Sequence, residues 1–216
     1  MAELSEEDIN ARANEKARKR KAARDKMLAD KTKEKGLLIV HTGKGKGKST
    51  AAFGLVFRAL GNGMRVGIVQ YVKGKWETGE RTALDKFSDQ VTIKAMGEGF
   101  TWDTQDRARD IAAAKAAWEK SKEMIEACRG PANSKEGRPY DMIVLDELNI
   151  VLRYDYLPLE EVVAVLDNRP ELLHIVVTGR NAKPELIEAA DLVTEMTQIK
   201  HPFREQGVKA QLGIEF

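Results

Sequence analysis

The segment GKGKGKST at residues 43–50 combines three glycines and three lysines directly before a helical pattern. Glycine has no Cβ and adopts positive φ easily, so successive backbone N–H groups can turn inward around phosphate oxygens. The N-terminus of the following helix adds unpaired N–H donors and a partial positive charge. Lys48 would reach a phosphate as a point charge, while the Ser49 hydroxyl is a ligand for Mg²⁺. The segment therefore predicts a loop that binds the phosphates of ATP.

This loop departs from the standard pattern G-x-x-x-x-G-K-[ST]. Counting back five residues from Gly47 reaches Thr42, where the pattern has glycine, and Gly45 is an additional glycine. We therefore expect a loop of different curvature that holds a triphosphate differently from an ordinary ATPase. A flexible Gly/Lys turn is the alternative, but the strand before it and the helix after it favour the phosphate loop. Contacts with ATP are predicted for Thr42, Gly43, Lys44, Gly45, Lys46, Gly47, Lys48, Ser49 and Thr50.

A second part of the site is predicted where DMIVLDELNIVL brings Asp146 and Glu147 to the carboxyl end of an apolar strand. From that position in a parallel sheet a carboxylate reaches the Mg²⁺ of a nucleotide. Asp146, Glu147 and Ser49 are the predicted Mg²⁺ ligands. Acidic residues also end strands simply as helix caps or turn formers, and that alternative stays open.

The elements that position these residues begin at Gly36, where short apolar runs start to alternate with helical stretches. This alternation is typical of βαβ units and a largely parallel sheet. Strands are predicted at 37–41, 66–71, 91–95, 142–146, 172–178 and 192–196. Helices are predicted near 49–60, 79–87, 104–128, 148–156, 159–167 and 184–190. The expected architecture is α/β, a RecA-like P-loop nucleotide-binding fold with a mostly parallel six-stranded sheet flanked by helices.

Residues 1–35 are predicted to form a basic helical arm that precedes this domain of residues 36–216. Between residues 5 and 35 there are 11 Lys/Arg and 7 Asp/Glu, without glycine or proline, whereas the whole chain carries a formal charge of +2. The apolar positions of the arm form only a thin stripe, so a solvated helix is the preferred interpretation, and nucleic-acid binding is not predicted.

Composition excludes several other classes of protein. The 216 residues are 42% hydrophobic, enough for one substantial core, yet they contain neither a bilayer-spanning apolar run nor a signal-peptide pattern. Cys128 is the only cysteine, so an internal disulfide is impossible. His41, His174 and His201 lack metal-ligand spacing and are interpreted as structural or surface residues. A cytoplasmic protein that does not bind a membrane is expected.

From about Gly36 to Phe216 the sequence resembles the P-loop-type ATP:cob(I)alamin adenosyltransferases of cobalamin synthesis and salvage. The resemblance rests on these segments: GKGKGKST, VQYVKGKWETGER, GFTWDTQ at 99–105, VLDEL, YDYLPLEEV at 154–162, VTGR at 177–180, and the ending KHPFREQGVKAQLGIEF. Two positions differ from the family pattern. The pattern has asparagine where this sequence has Lys44, and often threonine where this sequence has Ser49.

The resemblance implies that cobalt(I) of a corrinoid attacks the 5′ carbon of ATP and that triphosphate leaves. It names Lys48, Phe100 and Trp102 as catalytic, with the two aromatic residues binding the corrinoid and displacing the lower axial ligand of cobalt. Arg58 would contact the nucleotide sugar, and Arg180 would contact ATP in the crevice. The two aromatic residues and the two arginines also have structural interpretations, as packing aromatics, a surface arginine or an ion-pair partner.

The resemblance also implies a homodimer in which the arm covers the corrinoid site of the neighbouring subunit, and a transient contact with a flavoprotein reductant. The nucleophile carries no proton, so no general base is required, and the sequence shows no convincing catalytic triad. Two other functions stay open on the residues alone. One is a small-molecule kinase or ATPase, which would release ADP, and the other is a RecA-like nucleic-acid-binding module, which would bind polynucleotide in a salt-dependent way.

Overall fold

The computed structural model describes residues 5–72, 78–97, 106–130 and 137–215, which form a six-stranded sheet flanked by helices. The strands are β1 Leu38–Thr42, β2 Val66–Gln70, β3 Val91–Ala95, β4 Met142–Asp146, β5 His174–Thr178 and β6 Leu192–Glu195. The helices are α1 Glu6–Ala29, α2 Lys48–Gly61, α3 Gly79–Leu84, α4 Arg107–Glu126, α5 Leu148–Arg153, α6 Leu159–Asp167, α7 Pro184–Ala189 and α8 Pro202–Gln206, with a 3₁₀ turn at Asp85–Phe87.

The strand order β3-β2-β4-β5-β1-β6 brings the phosphate loop and the carboxylate strand to one edge of the sheet. Every neighbouring pair of strands is parallel. β5 lies between β1 and β4, so the carboxyl ends of those two strands are about 10 Å apart. Ligands of open α/β sheets bind outside these carboxyl ends. The predicted RecA-like α/β fold is confirmed.

The core lies on both faces of the sheet, which explains the almost continuous apolar runs of its central strands. β1, β2 and β4 are buried along their whole length. In β1, Leu38 and Val40 belong to one core cluster with residues of α4, α5 and α6, whereas Ile39 belongs to the other with residues of α2. Alternate strand residues therefore pack helices against opposite faces of the sheet.

Several element ends differ from the predicted ones for local reasons. The helix predicted at 148–156 ends at Arg153, because Asp155 takes a φ of 55° and Tyr156 N bonds to Val151 O. β5 starts at His174 and not at residue 172. The five-residue α8, which starts with a proline, was not predicted because it is too short to show a helical period.

The chain divides into two compact units, Met1–Glu34 and Lys35–Phe216. In the first unit, α1 begins at the N-cap Ser5, whose hydroxyl accepts a hydrogen bond from Asp8 N at 3.2 Å. None of the residues of α1 is buried. The predicted helical arm is thus present, as a helix stabilised by capping and propensity. Among the described residues no helix has the length and apolarity to cross a membrane.

Asp191 joins three parts of the second unit immediately before β6. Its carboxylate accepts hydrogen bonds from Leu38 N at 2.9 Å and from Arg169 Nη2 at 2.6 Å, and it also pairs with Lys35. Burial alone would raise the pKa of Asp191, but the bonds from Lys35 and Leu38 and the charge of Arg169 outweigh it and hold the pKa below its ordinary 3.8. The ionised carboxylate therefore stabilises the folded state.

We expect Asp191→Asn to lower the free energy of unfolding by about 1–2 kcal/mol at pH 7, because charged hydrogen bonds to a partly exposed group are lost. A depressed pKa contributes stability above its unfolded value, and that contribution disappears as pH falls through the folded pKa. Urea unfolding should therefore show the two proteins converging below pH 3.8. Asp167→Asn, on an exposed position of α6, is the control. A difference that stays constant with pH would contradict the charged role of Asp191.

Candidate active site at the carboxyl edge of the sheet

The phosphate loop takes its shape from the chain that follows β6. Gly45 N donates a hydrogen bond to Met196 O at 2.7 Å. A Cβ on Gly43 would lie 2.4 Å from Met196 O, and one on Gly45 would lie 2.7 Å from Thr197 O, so neither position has room for a side chain. Gly43 and Gly47 also take positive φ of 96° and 102°. Close backbone approach thus explains why glycine stands at position 45.

The helix that receives the loop starts at Lys48, with Gly47 as an N-cap that makes no side-chain capping bond. The first N–H groups of α2 therefore face the loop as donors for an anion. His41, buried at the end of β1, lies 3.2 Å through Nδ1 from Lys48 O. A carbonyl only accepts, so Nδ1 of His41 carries the proton in this bond. His41 therefore has a structural role, because this bond fixes the start of α2 relative to β1.

Three predicted cationic residues converge on the loop. The Lys48 ammonium donates to Gly45 O within the loop itself. Burial lowers the pKa of Lys48, the charges of Arg180 and Lys46 lower it further, and Glu147 opposes them. Arg180 follows β5 and is exposed at the same edge. Mutual repulsion among these cations is relieved by a polyanion, so the charge pattern fits a triphosphate.

The Asp146 carboxylate is the centre of a hydrogen-bond network beside the loop. It is 1% exposed and accepts from Ser49 Oγ at 2.7 Å and from Thr178 Oγ1 at 2.8 Å, both through Oδ1. Gln70 Nε2 donates to Oδ2 at 3.3 Å, and Glu147 N donates to Thr178 Oγ1 at 2.9 Å. Ser49 and Asp146, 97 positions apart in sequence, are thus in direct contact.

The oxygen atoms of this network suit Mg²⁺. Mg²⁺ binds hydroxyl and carboxylate oxygens and is held by one or two carboxylates together with substrate phosphates and water. Among the described residues no group of three or more His, Cys, Asp and Glu side chains could hold a metal without other ligands. The Ser49 hydroxyl and the Asp146 carboxylate therefore suit a magnesium ion, and the predicted contact of Glu147 with the metal stays a prediction.

Sequence reasoning missed Gln70 and Thr178, although both carried the signal used for Asp146. Each is a polar residue at the carboxyl end of a buried strand. In the register of the sheet, Gln70 lies opposite Asp146, and Thr178 lies opposite His41. The rule that carboxyl ends of parallel strands line the crevice applies equally to them.

Other predicted site residues lie at different distances from this network. Thr42 Oγ1 accepts from Ala182 N at 3.0 Å and so joins β1 to the segment after β5. Lys44 and Thr50 are exposed at the two ends of the loop and helix. Arg58 lies in the last turn of α2, about 15 Å along the axis from Lys48, and its contact with the nucleotide stays a prediction. Phe100 and Trp102 are outside the described residues.

Residues 34–216 match the family model described as ATP:corrinoid adenosyltransferase BtuR/CobO/CobP. The chain belongs to this family. The corrinoid adenosyltransferase of a Sinorhizobium species is 55% identical over 216 residues, which covers 99% of this chain and 96% of that protein. The one from Pseudomonas aeruginosa is 49% identical over the whole of both chains, and that of Escherichia coli K12 is 45% identical over 89% of this chain and 91% of its own.

As an ATP:corrinoid adenosyltransferase, the chain transfers the adenosyl group of ATP to a corrinoid. This reaction explains the charge of the site. Its anionic leaving group matches the cations around the loop, since a departing phosphate chain needs electrostatic stabilisation. The predictions of family and of function are confirmed.

Proposed function

We propose that the loop amides of residues 43–48, Lys46 and Lys48 hold the triphosphate of ATP, while Ser49, Asp146 and Glu147 hold Mg²⁺. The observation that carries this assignment is the contact between Ser49 Oγ and Asp146 Oδ1 at 2.7 Å, beside a cluster of cations at the N-terminus of α2. Hydroxyl, carboxylate and ammonium groups so arranged bind a metal–triphosphate as one unit.

In the proposed reaction, an electron pair of cobalt(I) forms the bond to the 5′ carbon of ATP. The bond between that carbon and its oxygen breaks, and the electron pair leaves with triphosphate. The loop amides and Lys48 stabilise the negative charge on the departing oxygen, and holding the chain at several points fixes the 5′ carbon for in-line attack. Mg²⁺, when bound, supplies further charge neutralisation on the phosphates.

A product assay tests this function. The protein is incubated anaerobically with ATP, Mg²⁺ and chemically reduced cobalamin, and the loss of cobalt(I) absorbance is followed together with the phosphate product. Adenosyl transfer yields one triphosphate per cobalt consumed. Formation of ADP without loss of cobalt(I) would instead indicate a kinase or ATPase.

Several finer proposals rest on the resemblance and the family. Arg180 contacts ATP, which its charge near the two loop lysines supports. The protein works as a cytoplasmic homodimer, with the exposed arm α1 covering a neighbour's corrinoid site, and it receives its electron from a flavoprotein. The exposure of every residue of α1 supports a role outside its own unit. The corrinoid product is adenosylcobalamin or adenosylcobyrinate a,c-diamide.

Trp102→Ala should slow turnover about tenfold more with a weak reductant than with ready-made cobalt(I). A lost axial ligand makes reduction of the metal easier, so an aromatic residue that displaces this ligand matters only when reduction is limiting. Parallel assays with the two electron sources, and with Trp118→Phe as a buried-tryptophan control, measure the difference. Equal slowing in both assays would show that Trp102 does not act by displacing the axial ligand.

A further inference from the structure

The segment of residues 196–215 runs along the phosphate loop and contacts it at both ends. At its start, Met196 N donates to Thr42 O at 2.9 Å, and Met196 O accepts from Gly45 N at 2.7 Å. At its far end, the carboxylate of Glu215 forms an ion pair with the ammonium of Lys46. Lys46 is one of the two lysines assigned to the triphosphate, so this carboxylate pairs with a cation that would otherwise bind a phosphate.

Local structure places Glu215 at this position. The backbone turns back at the end of the segment, where Ile214 N and Glu215 N both bond to Gln211 O, at 3.2 and 3.0 Å. Lys46 and residues between 201 and 215 of the segment together line a cavity of about 340 Å³. Burial and the charge of Arg180 lower the pKa of Lys46, and the Glu215 carboxylate is its ion-pair partner. The negative charge of Glu215 therefore pairs with Lys46 as the charge of a phosphate oxygen would.

The segment gains little stability from apolar burial. Its large apolar side chains are mostly in solvent, with exposures of 85% for Ile199, 66% for Phe203, 83% for Leu212 and 80% for Ile214. Regions with few buried apolar contacts open at low free-energy cost. The turn that carries Glu215 can therefore leave Lys46 without disturbing the core.

We propose that Glu215 is a positioning residue that competes with triphosphate for Lys46, leaving the loop when ATP binds and returning to Lys46 when the product triphosphate departs. The proposal rests on the phosphate-binding function proposed above. A triphosphate carries several negative charges and also bonds to the loop amides, so it displaces one carboxylate. The tethered carboxylate has a high effective concentration, which speeds recapture of Lys46 and weakens binding of the product.

The test is Glu215→Gln, which keeps the shape of the side chain and removes its charge. Calorimetric titration with inorganic triphosphate should show about fivefold tighter binding than in the unmodified protein, the scale of a partly exposed ion pair. Inhibition of adenosyl transfer by added triphosphate should strengthen by the same factor. In a Lys46→Gln background the Glu215→Gln change should have no effect on triphosphate affinity. Glu188→Gln, exposed on α7, is the control for net charge.

The outcomes separate the two proposals. If the unmodified protein does not bind inorganic triphosphate in competition with ATP, the assignment of the phosphate site fails, and the role of Glu215 fails with it. If it binds and Glu215→Gln has equal or weaker affinity, the competition is refuted while the phosphate site stands. A gain in affinity that persists in the Lys46→Gln background would show a general charge effect and would also refute it.

Discussion

Lys48→Ala is expected to lower kcat for adenosyl transfer by about 10²- to 10³-fold, the usual cost of losing one preorganised group that stabilises developing negative charge. The fold should survive, because Lys48 is the first residue of α2 and alanine is the best helix former. Since burial and Arg180 lower the pKa of Lys48, kcat/KM for ATP in the unmodified protein should decline at a lower alkaline pH than an ordinary lysine would dictate.

The matched control is Lys115→Ala, which removes a lysine from an exposed position of α4. Initial rates with chemically reduced cobalamin, measured over a range of ATP concentrations, separate kcat from KM. A rise in KM with unchanged kcat would mean that Lys48 binds ATP and the transition state equally well. That result would contradict its role toward the leaving group.

Asp146→Asn should reduce turnover by a similar factor of about 10²–10³ and raise the Mg²⁺ concentration needed for half-maximal rate. The carboxylate accepts hydrogen bonds from Ser49, Thr178 and Gln70, and an amide of the same shape keeps part of that network without the charge. We therefore expect a large loss of affinity for Mg²⁺ and only a small fall in the unfolding temperature.

Asp89→Asn, on an exposed turn, is the control for this substitution. Magnesium titrations of the rate and thermal unfolding curves are compared for the three proteins. An unchanged magnesium requirement would exclude Asp146 as a ligand. A large fall in unfolding temperature, with the magnesium requirement retained, would assign Asp146 to the core instead.

The sequence was sufficient to predict that Ser49 and Asp146 lie close together because their positions follow from local rules, whereas their binding of Mg²⁺ stays a prediction. A loop rich in glycine and lysine between a buried strand and a helix predicts the position of Ser49. An apolar strand with an acidic end predicts the position of Asp146. Parallel strands then bring the two together without further information, as their 2.7 Å contact confirms. The resemblance supplied the reaction, which the family match confirms.

The contacts that escaped prediction depend on distant tertiary geometry. Gln70 carries the same strand-end signal as Asp146, but the contact between the two side chains also requires that β2 and β4 pair in one particular register. Glu215 meets Lys46 through a segment with little apolar burial, so no hydrophobic periodicity marks its path. Roles for Phe100 and Trp102 stay predictions that rest on the resemblance.

The crowding of the loop against residues 196 and 197 has a consequence for protein engineering. A library that randomises the codons of the loop should recover folded variants with many residues at positions 44 and 46, whose side chains are exposed, but only glycine at 43 and 45. Binding of the phosphate chain is therefore best redesigned through the lysine positions, and a change at Gly45 has to be accompanied by a new path for the chain beyond β6.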